Sequence, residues 1–160
     1  MINDETRAQY AATFQRDVPD FVIQAEQWLA DNFIRQEAFV KPDDAAKWLR
    51  MKLASAQNEN FGCLFMDNKH RLIADEILFT GTVDGAAVYP RVVAQRAMHH
   101  NAAAAIFYHN HPSGVSDPSD ADRHITRRLV ETLGFLDVRV LDHIVVGGTS
   151  WTSLAERGWV

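Results

Sequence analysis

Between residues 3 and 35 the apolar positions Ala11, Phe14, Val18, Phe21, Ala25, Trp28 and Phe33 recur mostly three or four apart, the spacing that lines one face of an α-helix. Pro19 breaks the run, because proline has no N–H to give an inner helical turn. The stretch is therefore expected to form two helices or one kinked helix, with Pro19 near the start of the second. A further helix is expected over residues 42–54. Pro42 suits a first turn, Asp43 and Asp44 favour the positive end of the helix dipole, and Ala45, Trp48, Leu49 and Leu53 keep the helical period.

The period changes at residue 60. Phe61, Cys63, Leu64 and Phe65 mark a buried strand over 60–66, Asp67-Asn68-Lys69-His70 carries turn chemistry, and 71–82 reads as the returning strand of a hairpin. Residues 90–101 read as a helix opened by Pro90, and 103–109 as a short inner strand. Two prolines and a glycine make 112–118 a loop. Helical spacing returns over 119–133 through Ile125, Leu129 and Leu133, with Gly134 as the expected stop. Residues 138–146 form one or two strands, and 151–154 a short last one. The outcome is a mixed α/β domain with helices packed on a central sheet.

Composition narrows the chemistry. At 160 residues, 47% hydrophobic and 23% charged, the chain fits a single globular core. A formal charge of −5 does not support a generally basic nucleic-acid surface. Cys63 is the single cysteine, so neither an internal disulfide nor a cysteine pair for zinc is available, and the thiol reads as a small buried hydrophobe. Any metal must then rest on His, Asp and Glu. Met1-Ile2-Asn3-Asp4-Glu5 lacks the basic start of a secretory signal, and no apolar run reaches the ~18 residues of a membrane helix. The expectation is a cytoplasmic protein with no membrane partner.

His109 and His111 close the apolar strand at spacing i, i+2, which turns both imidazoles to one side of an extended chain. Asp122 follows in the first turn of the next helix, where the intervening loop can fold it back over the strand end. Two nitrogens and a carboxylate would leave one position of a tetrahedral zinc shell open. Such a site needs a base to take a proton from water, and Glu76, in the apolar string Ile73-Ala74-Asp75-Glu76-Ile77, is the candidate, with Asp75 as the alternative. Apolar surroundings would raise its pKa, as suits a proton carrier. Plain structural readings stand beside these. Two strand histidines are as often ordinary buried residues, and Ser119-x-x-Asp122 matches a helix capping box. Spacing alone leads no further than a candidate metal site.

His109-Asn110-His111, seven residues, Ser119, two residues and Asp122 together resemble the His-x-His-x(7)-Ser-x-x-Asp signature of the JAMM (MPN+) metalloproteases, with Glu76 in the place of the upstream glutamate. His109 through Gly114, Phe79-Thr80-Gly81-Thr82, Tyr89-Pro90-Arg91, Asp142-His143-Ile144 and Ser153-Leu154 look like the RadC branch of that superfamily. The resemblance covers residues 42–160 and leaves 1–41 as an N-terminal helical extension. It implies a JAB fold, a mixed sheet flanked by helices and related in outline to cytidine deaminases. It further implies Zn2+ held by His109, His111 and Asp122, Glu76 as general base, and Ser119 as a donor to the developing oxyanion. The implied activity is hydrolysis of an amide bond in a peptide or protein substrate.

Two departures are visible. Residues 1–41 are too short and acidic for the helix-hairpin-helix module of full-length RadC proteins, so the chain reads as a short form, and Val92 stands where the family usually has glutamate after Pro-Arg. The competing function is DNA-associated binding or a repair accessory role without peptidase activity, for which Arg123, Arg127 and Arg128 would offer a basic helix edge. A third reading keeps zinc structurally and interacts through Trp28, Trp48 or the N-terminal helices. Asp142-His143 is read as a supporting or sheet-edge pair.

Overall fold

The computed structural model describes residues 19–29, 42–81 and 87–160. Four helices and five strands follow in the order α1 (Asp20–Leu29), α2 (Pro42–Leu53), β1 (Asn60–Met66), β2 (Leu72–Thr80), α3 (Pro90–His99), β3 (Ala104–Asn110), α4 (Asp120–Gly134), β4 (Arg139–Gly147) and β5 (Ser150–Ser153). The sheet order is β2-β1-β3-β4-β5. Only β3 and β4 run parallel, joined by α4; the other neighbours are antiparallel. This is the mixed sheet flanked by helices that the resemblance implied.

Every residue of β1 and β3 is buried. Both are inner strands covered on two faces, which is why their sequences run apolar without alternation. The pleat divides their side chains between two cores. Leu64, Met66, Ile106 and Tyr108 meet Ala45, Trp48, Leu49 and Leu53 of α2 on one face. Phe61, Cys63, Phe65, Ala105 and Phe107 meet α3 and α4, through Val93, Ala97, Leu129 and Leu133, on the other.

Neighbouring acids on the edge strand β2 clip it to both helical layers, because successive side chains point to opposite faces. Asp75 turns to α2, where Lys52 Nζ (2.6 Å), Tyr108 OH (2.6 Å) and Trp48 Nε1 (3.1 Å) all donate to it. Glu76 turns to α3, where Arg96 Nε donates at 2.7 Å and His100 Nε2 lies at 2.7 Å. Arg96 engages both carboxylate oxygens, a bidentate geometry that favours the ionised form. Its guanidinium, with help from His100, overcomes the effect of burial and pulls the Glu76 carboxyl down to about 2. The raised pKa expected from an apolar strand is thus reversed, because the last turn of α3 brings two donors to the carboxylate.

Three other expectations change in detail. Pro19 lies before α1 and accepts from Val22 N at 2.9 Å, while the helix buries Ile23 and Glu26 and leaves Phe21 70% and Trp28 60% exposed. Two stripes of that helix carry apolar residues, and packing on α2 selected the other one; Ala11, Phe14, Val18 and Phe33 lie outside the described residues. Gly134 is inside α4. The left-handed residue that ends the helix is Asp137 (φ 57°), with Val138 N bonded to Leu133 O and Asp137 N to Gly134 O, a Schellman closure in which aspartate tolerates the conformation glycine favours. Residues 139–147 form one strand. Among the described residues no helix is long and apolar enough to cross a membrane.

Tyr108 of β3 reaches Asp75 by lying over β1 at Gly62, where an added Cβ would sit 2.2 Å from the ring. Gly62→Ala should displace the ring and destabilise the protein by about 1–3 kcal/mol, measured by denaturant unfolding; an unchanged midpoint would contradict this packing. Glu76→Gln tests the other clip. A carboxyl lowered from 4.5 to about 2 contributes stability that is complete above 4.5 and lost as pH falls towards 2. The variant should therefore be less stable at pH 7, by about 1 kcal/mol at this partly exposed pair, with the gap narrowing as pH falls from 4.5 and closing only below about pH 2. A gap that persists below that pH would place the effect elsewhere.

Candidate metal centre

The pleat that puts Ala105 and Phe107 against α3 and α4 carries His109 to the same face, at the carboxyl end of β3. His109 is 1% exposed. Its Nδ1 lies 2.8 Å from His143 Nε2, and its Nε2 lies 2.9 Å from His111 Nε2. His111 extends the ladder by one residue, donating its backbone N–H to Val146 O at 2.8 Å. Its Nδ1 is 2.8 Å from Val115 O. A carbonyl only accepts, so the proton sits on Nδ1 and the Nε2 lone pair faces His109.

Val115 reaches that position because the 112–118 loop folds down onto β4 at Gly147, where a Cβ would come within 2.4 Å of Ser116 N. The loop then delivers Ser119 as the N-cap of α4. Asp122 N donates to Ser119 Oγ (3.1 Å), while Ser119 N (2.7 Å) and Ser119 Oγ (2.8 Å) donate to Asp122 Oδ2. This is the expected capping box, and it also aims the carboxylate. Asp122 Oδ1 lies 3.3 Å from His109 Nε2, and Oδ2 lies 3.5 Å from His111 Nε2. In the resting geometry the Ser119 hydroxyl proton is given to Asp122.

One ligand atom from each of His109, His111 and Asp122 falls within 4.8 Å of the others. Zinc ligands at ~2.0–2.1 Å in a tetrahedron stand about 3.3 Å apart, so the observed separations suit such an ion. Two nitrogen lone pairs and a carboxylate this close repel one another unless a cation lies between them, and the residues present fit a divalent metal. The field acts in the same sense on both partners. Burial would raise the Asp122 carboxyl, but the two imidazoles facing it and the Ser119 N–H hold it well below the usual carboxylate range. The Asp122 carboxylate in turn raises His111, assisted by Val115 and by the charge of Glu59.

Glu59 is the functional candidate that sequence reasoning missed. Asn110, between the two histidines, turns to the opposite face, accepts from Asn60 N at 2.8 Å and donates to Asn58 O at 3.0 Å. That clamp fixes the residues ahead of β1. Phe61 pairs with His109 at the end of the β1–β3 ladder, and Glu59, two residues ahead of Phe61, lies near enough for its charge to act on His111. The residue is half-buried. Its signal in the sequence was parity with Phe61, usable only once the β1–β3 pairing is known.

Glu76 occupies a different place. It pairs with Cys63, which pairs with Phe107, so it lies one pleat repeat from the His109 row and two strand spacings, about 10 Å, from β3. The structure brings His109, His111, Asp122 and Ser119 together and holds Glu76 at the sheet edge with Arg96 and His100. Asp75, the other candidate base, is committed to Lys52, Tyr108 and Trp48.

The Asp142-His143 pair divides between the faces. Asp142 is buried among Ser153 Oγ (2.7 Å), His143 N (2.7 Å) and Ala155 N (3.0 Å) and ties β4 to the C-terminal turn. His143 points to the metal-site face, fully buried, with Nδ1 2.6 Å from Thr126 Oγ1. Arg123, on the proposed basic edge, lies 4.9 Å over the Trp159 ring, and Arg157 lies 5.5 Å over the same ring while pairing with Asp117.

A family model described as the RadC-like JAB domain matches residues 39–159. A UPF0758 protein of Alcanivorax borkumensis is 58% identical over 134 residues, covering 84% of this chain and 60% of that protein. UPF0758 proteins of Vibrio campbellii and Vibrio parahaemolyticus are each 53% identical over 135 residues with the same coverage. The chain thus spans about 60% of the length of the curated relatives it matches. With the His-x-His strand end, the capped aspartate and the mixed sheet already in place, the chain belongs to the RadC-like JAB domain family.

Proposed function

We propose that the chain is a zinc-dependent hydrolase of amide bonds, of the metallopeptidase or isopeptidase type, acting on a peptide or protein substrate. The observation that carries this reading is the convergence of His109 Nε2, His111 Nε2 and Asp122 on one point, with three protein ligands and therefore an open fourth position. Zinc held there would polarise a carbonyl and acidify a water molecule. The remaining chemistry falls to the chain. Glu59, half-buried beside His111, takes the proton and returns it to the leaving amine. Glu76 was expected in that role, but a carboxylate held at about 2 by Arg96 is a poor proton acceptor at neutral pH. Ser119 orients Asp122 through Oδ2, and its hydroxyl can turn to donate to an oxyanion.

A nucleic-acid role finds less support. The formal charge is −5, and Arg123 and Arg157 of the nearest basic surface are stacked on Trp159.

The purified protein should contain about one zinc per chain, and His109→Ala or Asp122→Asn should lose most of it by metal analysis; full stoichiometry in both variants would remove these ligands. Glu59→Gln should keep the metal and lower turnover of a peptide and isopeptide library by about 10²–10⁴-fold, while Glu76→Gln retains turnover. The opposite ranking of the two variants would return the base to Glu76.

A further inference from the structure

We propose that His143 and Thr126 are positioning residues that fix which nitrogen of His109 carries its proton, keeping Nε2 free for the metal; the inference rests on the metal-site reading above. The geometry runs through three hydrogen bonds in series. Thr126 stands one helical turn after Asp122 in α4, and its Oγ1 donates to the Asp122 backbone carbonyl at 2.6 Å. That carbonyl can only accept, so the single hydroxyl proton is spent there. Towards His143 Nδ1, 2.6 Å away, the Thr126 oxygen is left with lone pairs alone. His143 must therefore hold its proton on Nδ1.

His143 is fully buried, with the rings of Phe61 and Phe107 meeting it edge-on at 5.4 and 6.1 Å. An imidazole enclosed in this way is neutral and has one N–H. With that proton on Nδ1, Nε2 is an acceptor, and His109 Nδ1 at 2.8 Å is the donor that fills it. With its Nδ1 proton given to His143, His109 then presents Nε2 to His111 and Asp122. The direction of every bond follows from the one carbonyl at the start, and that carbonyl belongs to Asp122. Two of the three ligands are thus coupled by a path that does not pass through the metal, as partners behind metal-bound histidines commonly do.

The test uses an isosteric pair. Thr126→Val keeps the shape but removes the acceptor for His143 Nδ1–H. His143 can then carry its proton on Nε2, which would push His109 into the tautomer protonated at its own Nε2. Thr126→Ser restores the hydroxyl. Zinc affinity of the whole chain, by chelator competition, should fall about 10–100-fold in Thr126→Val and return to within about threefold of the native value in Thr126→Ser. Imidazole nitrogen NMR of the native metal-free protein should place the His109 proton on Nδ1. Equal zinc affinity in the valine and serine variants, or a His109 proton found on Nε2 in the native protein, would overturn the proposal. The NMR measurement decides even where Thr126→Val does not fold. A native protein that binds no zinc but shows the Nδ1 proton would refute the metal reading and leave the hydrogen-bond relay standing.

Discussion

Asp122 satisfies two geometric demands with one carboxylate. As the third residue of α4 it closes the capping box with Ser119, and as a side chain over the end of β3 it faces His109 and His111. The helix start and the strand end are thereby held together, and much of the surrounding structure serves that junction. The parallel pairing of β3 with β4 sets the level of the strand end, Gly147 lets the intervening loop lie flat, and Val115 uses that position to orient His111. Loss of the carboxylate would release a helix cap as well as a charge, so a variant at this position reports on both.

The rest of the domain keeps the strand end rigid. β1 and β3 are enclosed on both faces, and the edge strand β2 is tied to α2 by Asp75 and to α3 by Glu76. Adjacent acids on an edge strand would ordinarily face solvent; here the pleat sends each to a cationic partner on a different helix. Each carboxylate is thereby committed to a partner on a different helix, which ties the edge strand to both layers. A buried charge cluster such as Lys52–Asp75–Tyr108 is tolerated because each polar atom has a partner, and breaking one member would leave the others uncompensated.

The convergence of His109, His111 and Asp122 was legible because each relation among them is local. Strand alternation relates His109 to His111, and a helix cap relates Ser119 to Asp122. The family resemblance linked the two halves across the loop. Strands and helices of residues 42–154 were legible for the same reason, to within a residue or two at their ends. What could not be read were relations set by non-local pairing. Glu59 belongs beside His111 only through the register of β1 on β3, and Glu76 leaves the site only because α3 ends where Arg96 and His100 can reach it. His143 and Thr126 lie on two further elements that meet only in the folded core. The face of α1 failed differently: both Ile23 and the Phe21–Trp28 stripe are apolar, and periodicity cannot choose between them.

A neutral imidazole behind His109 also has an electrostatic logic. Carboxylates commonly fill this place behind metal-bound histidines, and they make the ligand more basic. Here Asp122 already contributes one negative charge to the cluster, and Glu59 stands beside His111 with a second. A divalent cation held there would balance those two. A third carboxylate at position 143, fully buried between Phe61 and Phe107, would have no counter-charge and would bear the desolvation cost of a lone ion. Histidine supplies the directional acceptor without the charge, and burial keeps it from gaining a proton that would reverse the bond. The same enclosure that makes His143 look like an ordinary core residue is therefore what allows it to act as a fixed acceptor.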